Sequence, residues 1–308
     1  MRKVVITGGA GFIGSHLAEA LAGGGYHVTV LDDLSTGNSE NIAELSSQDN
    51  VDFIEGSVTD LPLLQSLFQG VDYAFHLAAI SSVSRSIDAP AATHEVNITG
   101  TLNVLLAARD NRVKKVIHAS SCSVYGDTPA LPKREDMLPN PQSPYSVTKL
   151  AAEHYGQVFS QVYGLPTICL RYFNIYGPRQ DPDSEYAAVI PNFIKKVSQG
   201  EAPIIFGDGD QTRDFTFVKD VVAASILSAE SSASGIFNIG SGESTTINEL
   251  AHLTIKLVGS NLTPTYQPPR PGDIRHSLAD ISRARKFGYN PKYNLEEGLK
   301  ETIRYLIP

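Results

Sequence analysis

A tyrosine and a lysine stand four residues apart in SPYSVTK (143–149). On a helix this spacing puts Tyr145 and Lys149 on one face, one turn apart. Two readings are open. Lys149 can be a solvated cation beside a packed ring, or it can lower the Tyr145 pKa and make the phenol an acid or base near neutral pH. The pair alone does not decide between them; the elements that would position it do.

The strongest local signal is TGGAGFIGSHL, in which Gly8, Gly11 and Gly14 follow the β-branched run KVVIT and open a helical pattern that carries Phe12 and Ile13. Glycine there permits a tight turn and close approach of the backbone to a pyrophosphate, and the helix N-terminus supplies free N–H groups. A second run, HVTVLD, ends in Asp32, 24 residues beyond Gly8. An acid at that point accepts ribose hydroxyls and repels a 2′-phosphate. With Asp33 beside it and no basic residue, the reading is NAD rather than NADP. A nicotinamide lying across such a sheet brings an ionisable Tyr145 near its reactive face, with Lys149 holding the ribose and stabilising a phenolate.

Strand-like runs at 3–7, 27–32, 51–57, 73–78, 114–121 and 166–174 alternate with helical patterns. This implies right-handed crossovers and a Rossmann-type doubly wound parallel sheet. After about residue 175 the texture changes to proline-rich loops, helices near 188–200, 218–230 and 247–258, and short strands in APIIF and GIFNIG. The expected organisation is an NAD-binding α/β domain over 1–175 and a smaller mixed α/β substrate lobe over 176–308, with a soft boundary that the chain crosses more than once. Ligands in such folds bind beyond the carboxyl ends of the strands.

A net charge of −8 argues against a nucleic-acid-gripping surface, and no apolar run is long enough to span a membrane. The two cysteines, Cys122 and Cys169, lack metal-ligand spacing and fit a reducing cytoplasm. No metal is expected.

Glycine turn, Tyr145–Lys149 pair and C-terminal lobe together resemble the extended short-chain dehydrogenase/reductases, over essentially the whole chain. Within that branch the sequence is most similar to the UDP-hexose 4-epimerases. SSCSVYG matches the family's serine-rich strand end and puts Ser121 at the catalytic hydroxyl, with Ser123 beside it. RYFNIYG matches the segment whose asparagine, Asn174, contacts the sugar diphosphate, and places Tyr172 on the cofactor side. Arg213 in QTRDF and Arg270 and Asp273 in PRPGD are the implied anchors for diphosphate and uridine ribose; a guanidinium fork suits phosphate oxygens. HLAA lays Leu77, Ala78 and Ala79 along the cofactor, with Asn97 on the next helix. The resemblance further implies substrate contacts from Ser81, Ser82 and Arg85, and from Ala188, Val189, Ile204 and Phe206.

Departures from the family are informative. EGSV has Ser57 where many relatives carry an aspartate near the adenine amine, which leaves recognition to backbone groups of Val58. Dehydratases carry Asp-Glu before VYG; Cys122-Ser123 stands here and argues against dehydration. The implied reaction is oxidation at sugar carbon 4 with Tyr145 and Ser121 moving the proton, rotation of the 4-keto sugar about its diphosphate, and hydride return from tightly bound NAD. Ser277 occupies the position where hexose-only relatives carry a tyrosine, and SVSRSI and AAVIP resemble the N-acetylhexosamine-preferring subgroup. The expected substrates are UDP-GlcNAc and UDP-GalNAc, with UDP-Glc and UDP-Gal as a second pair. Two alternatives stay open: decarboxylation or epimerisation of UDP-glucuronate, for which Arg85 is the nearest candidate carboxylate partner, and a non-catalytic NAD-binding regulator. The resemblance also implies a homodimer, packed through the helices in HEVNITGTLNVLLAARD and YSVTKLAAEHYGQVFSQVYG.

Overall fold

The computed structural model describes residues 1–181, 188–269 and 274–307. The chain begins β1 (Lys3–Thr7), α1 (Phe12–Gly23), β2 (His27–Asp32), β3 (Val51–Glu55), α2 (Leu61–Leu67) and β4 (Tyr73–His76). It continues through α3 (Val83–Asp88), α4 (Pro90–His94), α5 (Gly100–Asp110), β5 (Lys115–Ser121), α6 (Pro144–Tyr163) and β6 (Thr167–Tyr172). Then follow β7 (Ile175–Tyr176), α7 (Val189–Ser198), β8 (Ile204–Phe206), β9 (Thr212–Arg213), β10 (Thr216–Phe217) and α8 (Val218–Glu230). The last elements are β11 (Gly235–Ile239), β12 (Thr245–Thr246), α9 (Ile247–Val258), β13 (Thr265–Gln267), α10 (Ser282–Arg285) and α11 (Leu295–Leu306).

Seven strands form one sheet in the order β11-β6-β5-β4-β1-β2-β3, and every pairing within it is parallel. The order reverses between β1 and β4, which creates the crevice where a dinucleotide binds in doubly wound sheets. Both faces are covered, as near-continuous apolar strands such as VVI and VIHA require. Leu17 and Leu21 of α1 pack with Val221 and Ala224 of α8 on one side. Leu64 of α2, Val104 and Leu105 of α5 and Phe159 of α6 pack on the other. A third cluster, including Ile190, Phe193, Ile205, Phe217, Leu250 and Leu299, is the core of the C-terminal lobe.

Two sequence expectations change. The GIFNIG strand pairs with β6 as the seventh strand of the main sheet, and α8 lies against α1 and β5. The chain thus crosses the soft boundary near 175 again, because the apolar face of α8 and the edge of β6 are satisfied only when it returns to the sheet. The long helix expected from His94 onward is interrupted by a π turn over Glu95–Thr99. Such turns insert a residue and re-aim the side chains around it; here Asn97 is turned into the interior.

Helix α6 is well delimited. Ser143 caps it by accepting the Ser146 N–H, Pro144 occupies its first turn, and Gly164 closes it at φ 66°.

Candidate active site

Gly8 sits at φ 71°, in the left-handed region, and a Cβ there would fall 2.6 Å from the Ala78 nitrogen. A Cβ on Gly14 would fall 2.1 Å from the Gly8 carbonyl oxygen. The turn thus passes against both the β4 loop and α1 with no room for a side chain. Gly11 is the N-cap of α1 and offers no side-chain cap, so first-turn N–H groups at Phe12 and Ile13 remain for an anionic ligand. Asp32 is buried at the end of β2 and accepts the Ala10 and Leu34 N–H groups at 2.9 Å each; Asp33 is exposed and accepts the Ser35 N–H. Burial raises the Asp32 carboxyl, and those backbone donors oppose the shift. Glycine cradle, open helix terminus and acidic β2 end fit an NAD phosphate-and-ribose site.

The loop after β4 is held by a directed chain of hydrogen bonds. The Ala78 N–H donates to Thr7 Oγ1 (3.4 Å), and Thr7 Oγ1 meets His76 Nδ1 at 2.7 Å. His76 Nε2 meets Thr101 Oγ1 at 2.9 Å, while the Thr101 hydroxyl gives its proton to the Asn97 carbonyl at 2.6 Å. That assigns a neutral His76 protonated on Nε2, and burial holds its pKa down to about 3. The Asn97 side chain is spent on the protein as well. Its Oδ1 accepts the Ile80 N–H, and its Nδ2 donates to the Ile80 carbonyl and to Thr148 Oγ1 of α6. Asn97 therefore clamps Ile80, at the end of the loop that carries Leu77–Ala79, to the helix that carries Tyr145.

Ser121 ends β5 and accepts the Ser123 N–H (3.2 Å) at the start of a short 3-10 turn. The Ser121 side chain lies near enough to the Tyr145 phenol to lower its pKa. The Tyr145 N–H donates to Ser86 Oγ on α3 (3.1 Å), which ties the helix start to the segment of Ser81, the N-cap Ser82 and Arg85 of α3. Lys149 Nζ donates to the Ala119 carbonyl of β5 at 2.9 Å and lies 5.9 Å from the Tyr145 ring centroid.

The expected depression of the Tyr145 pKa by Lys149 does not hold in the protein alone. Burial pushes the phenol up to about 12, with the nearby Ser121 side chain opposing the shift. Burial also lowers Lys149 to about 8. With the ammonium turned to a strand carbonyl and desolvated itself, it has little field left for the phenol.

On the substrate side, Asn174 follows β6 at φ 31° and donates from Nδ2 to the Asp214 carbonyl (3.0 Å). Arg213 folds back so that Nη1 donates to the Thr212 carbonyl (2.9 Å). Ser277 is 7% exposed and its N–H donates to the Thr212 carbonyl. Burial raises the Cys122 thiol, and the neighbouring Asn174 backbone and Ser277 side chain oppose the shift. Ser123 Oγ is buried with no protein partner among the described residues.

Other expected residues lie further out. The Ser57 hydroxyl turns back to accept from Thr59, and the Val58 carbonyl accepts from Asn103. Tyr172 directs its hydroxyl to Ser225 of α8 (3.0 Å). Ser82 caps α3 by accepting the Arg85 N–H. Ala188 and Val189 begin α7, and Ile204 and Phe206 flank the buried Ile205 of β8. Arg270 and Asp273 lie outside the described residues.

Several contributors had no separate signal in the sequence: Thr7 and His76, which read as strand termini; Ser86, one serine among four in SSVSRS; and Glu153, one turn beyond Lys149. The i, i+4, i+8 spacing of Tyr145, Lys149 and Glu153 is the one cue that marks a common helix face.

A parallel doubly wound sheet with a glycine cradle at its switch point, and a Ser–Tyr–Lys set across the crevice, defines a nicotinamide-dinucleotide-dependent protein of the α/β class. The chain belongs to the NAD dependent epimerase/dehydratase family, whose profile matches residues 4–240. It is 41% identical over 307 residues to a UDP-glucose 4-epimerase of Mycolicibacterium smegmatis, covering 98% of each chain. Its fold superposes with a TM-score of 0.97 on a UDP-N-acetylglucosamine 4-epimerase of Methanobrevibacter ruminantium solved with UDP-N-acetylmuramic acid, at 43% identity over 99% of this chain and 98% of that one. It is also similar to the UDP-glucose 4-epimerase of Thermus thermophilus solved with NAD, with a TM-score of 0.88, 36% identity, and 99% and 98% of the two chains covered.

Proposed function

We propose that the protein is an NAD-dependent UDP-sugar 4-epimerase that interconverts UDP-GlcNAc and UDP-GalNAc, with UDP-Glc and UDP-Gal as a second substrate pair. The observation that carries the reading is that Tyr145 and Lys149 stand one turn apart on α6, with the Lys149 ammonium bonded to the Ala119 carbonyl of β5, the strand that ends in Ser121. Glycine cradle, open α1 terminus and Asp32 would hold NAD, which when bound accepts hydride from sugar carbon 4 and returns it to the opposite face.

The residues of the chain supply the proton chemistry. Ser121 bridges the sugar hydroxyl to the phenol, and Tyr145 takes the proton at its phenolic oxygen and gives it back. In the protein alone burial disfavours both a phenolate and an ammonium, so the charge that makes Tyr145 a base has to come with the bound ligands, a cationic nicotinamide above all. Arg213 and Asn174 would grip the diphosphate while the sugar turns. Cys122 leaves no acid in the place where water elimination needs one.

Support for the acetylated pair is the small Ser277 side chain next to Cys122, together with the UDP-N-acetylglucosamine 4-epimerase among the relatives. Assembly as a homodimer through α6 is supported by its exposed Val147, Val158, Val162 and Tyr163. A cytoplasmic location is supported by two free thiols.

Proton NMR of the purified protein with UDP-GlcNAc and, separately, UDP-Glc tests the reading. Growth of galacto anomeric signals from the acetylated sugar is the expected result. Turnover of UDP-Glc alone would keep the epimerase and remove the role of Ser277. No turnover of either would bring forward the glucuronate and regulator readings.

A further inference from the structure

Asp214 is fully buried (0% exposed), and its carboxylate gathers donors from separate parts of the chain. Oδ1 accepts the N–H and the hydroxyl of Ser241, both at 2.7 Å. Oδ2 accepts the Gly242 and Ala279 N–H groups, each at 3.1 Å. Its own carbonyl accepts Asn174 Nδ2 at 3.0 Å. These partners come from the loop after β6, the loop after β11 and the segment that carries Ser277. Arg213 is its immediate neighbour, and the Ser277 N–H bonds Thr212 one residue further back. The close approach is built in: a Cβ on Gly240 would fall 2.7 Å from Asp214 Oδ2.

We propose that Asp214 is the positioning residue of the nucleotide-sugar half of the site, holding Asn174, Arg213 and the Ser277 segment in one preformed set at the carboxyl edge of β6 and β11 before ligand arrives. The inference rests on the UDP-sugar reading above. Its physical basis is that all four groups aimed at the carboxylate are donors, so an acceptor-only side chain is required. An asparagine of the same shape must turn its NH2 toward either the Ser241 pair or the Gly242–Ala279 pair, and each choice sets donor against donor. Released from that hub, the three segments must be ordered by the ligand itself, which weakens binding. No bond described to Asp214 reaches Ser121, Tyr145, Lys149 or the glycine turn, so the loss falls on substrate binding more than on the chemical step.

The test uses the full-length protein with its bound NAD. Asp214→Asn and the milder Ser241→Ala are compared with wild type for UDP affinity by calorimetry, KM and kcat with the UDP-hexose that wild type turns over, NAD content and Tm. Asp214→Asn should weaken UDP binding and raise KM by about tenfold or more, with kcat falling far less. Ser241→Ala should move the same two quantities by about threefold. NAD content should stay at the wild-type level. An unchanged KM and UDP affinity in folded Asp214→Asn, or a fall confined to kcat, overturns the proposal. Where Asp214→Asn does not fold, Ser241→Ala decides, and unchanged UDP affinity in it is fatal. Wild type that binds UDP but epimerises nothing removes the function reading while the affinity arm still judges Asp214. Wild type that does not bind UDP removes both.

Discussion

Glu153 of α6 and Arg171 of β6 form a two-pronged ion pair, Nε to Oε1 at 2.8 Å and Nη2 to Oε2 at 2.7 Å, with side-chain exposures of 0% and 2%. Ser120 donates to the same carboxylate at 2.5 Å, and the guanidinium lies 4.6 Å from the Tyr125 ring centroid. Glu153 is one turn beyond Lys149, and Ser120 lies between the Ala119 carbonyl that Lys149 grips and Ser121. The pair therefore welds the helix face that bears Tyr145 and Lys149 to the strand that bears Ser121.

Breaking one side of this pair leaves an uncompensated buried charge. Glu153→Ala should cost about 3–5 kcal/mol of stability, measured by urea unfolding. Replacing both partners, Glu153→Met with Arg171→Met, should recover most of that loss. A double variant as unstable as the single one would show that the pair matters through shape rather than charge.

Lys149 reveals a conflict between stability and chemistry. Its pKa is about 8 in the fold, below the usual 10.5, so the folded state bears the cost of the buried charge below about pH 8. Wild-type stability should therefore rise as pH goes from 8 toward 10.5, where the unfolded chain binds the extra proton. Lys149→Met should abolish epimerisation and yet be more stable than wild type at pH 7, by up to about 3 kcal/mol. The gap should close by pH 10.5, and thermal melts across that range check it.

Tyr145→Phe keeps the buried ring and removes only the proton carrier. The turnover number should fall by about 10²–10⁴, while bound NAD and Tm stay near wild type. A variant within tenfold of wild type would place the proton transfer on another group.

Ser277→Tyr tests the space beside Cys122. Turnover of UDP-GlcNAc should fall by at least about tenfold relative to UDP-Glc, because a steric block acts on the acetamido group alone. Equal losses on both sugars would show that residue 277 shapes the whole pocket.

What local pattern can specify was legible at the level of the chain. Glycine at 8, 11 and 14 between a β-branched run and a helix, an acid ending β2, and alternating strand and helix periods led to the sheet and its cofactor. The four-residue spacing of Tyr145 and Lys149 led to a shared helix face. These features depend on residues close in sequence, where periodicity and backbone freedom act directly.

Contacts between distant segments were not legible. The return of β11 to the edge of β6, the inward turn of Asn97, the bond from Lys149 to Ala119 and the gathering of Ser241, Gly242 and Ala279 around Asp214 all join residues separated by 17 positions or more, or occur within a helix whose period hid an inserted residue. Only the packed structure decided these, and it also set the pKa values at the site. Burial, which no residue carries in its own type, moves Tyr145 up to about 12 and Lys149 down to about 8. The sequence by itself determined which groups face one crevice; desolvation and long-range hydrogen bonds determined in what protonation state they wait there.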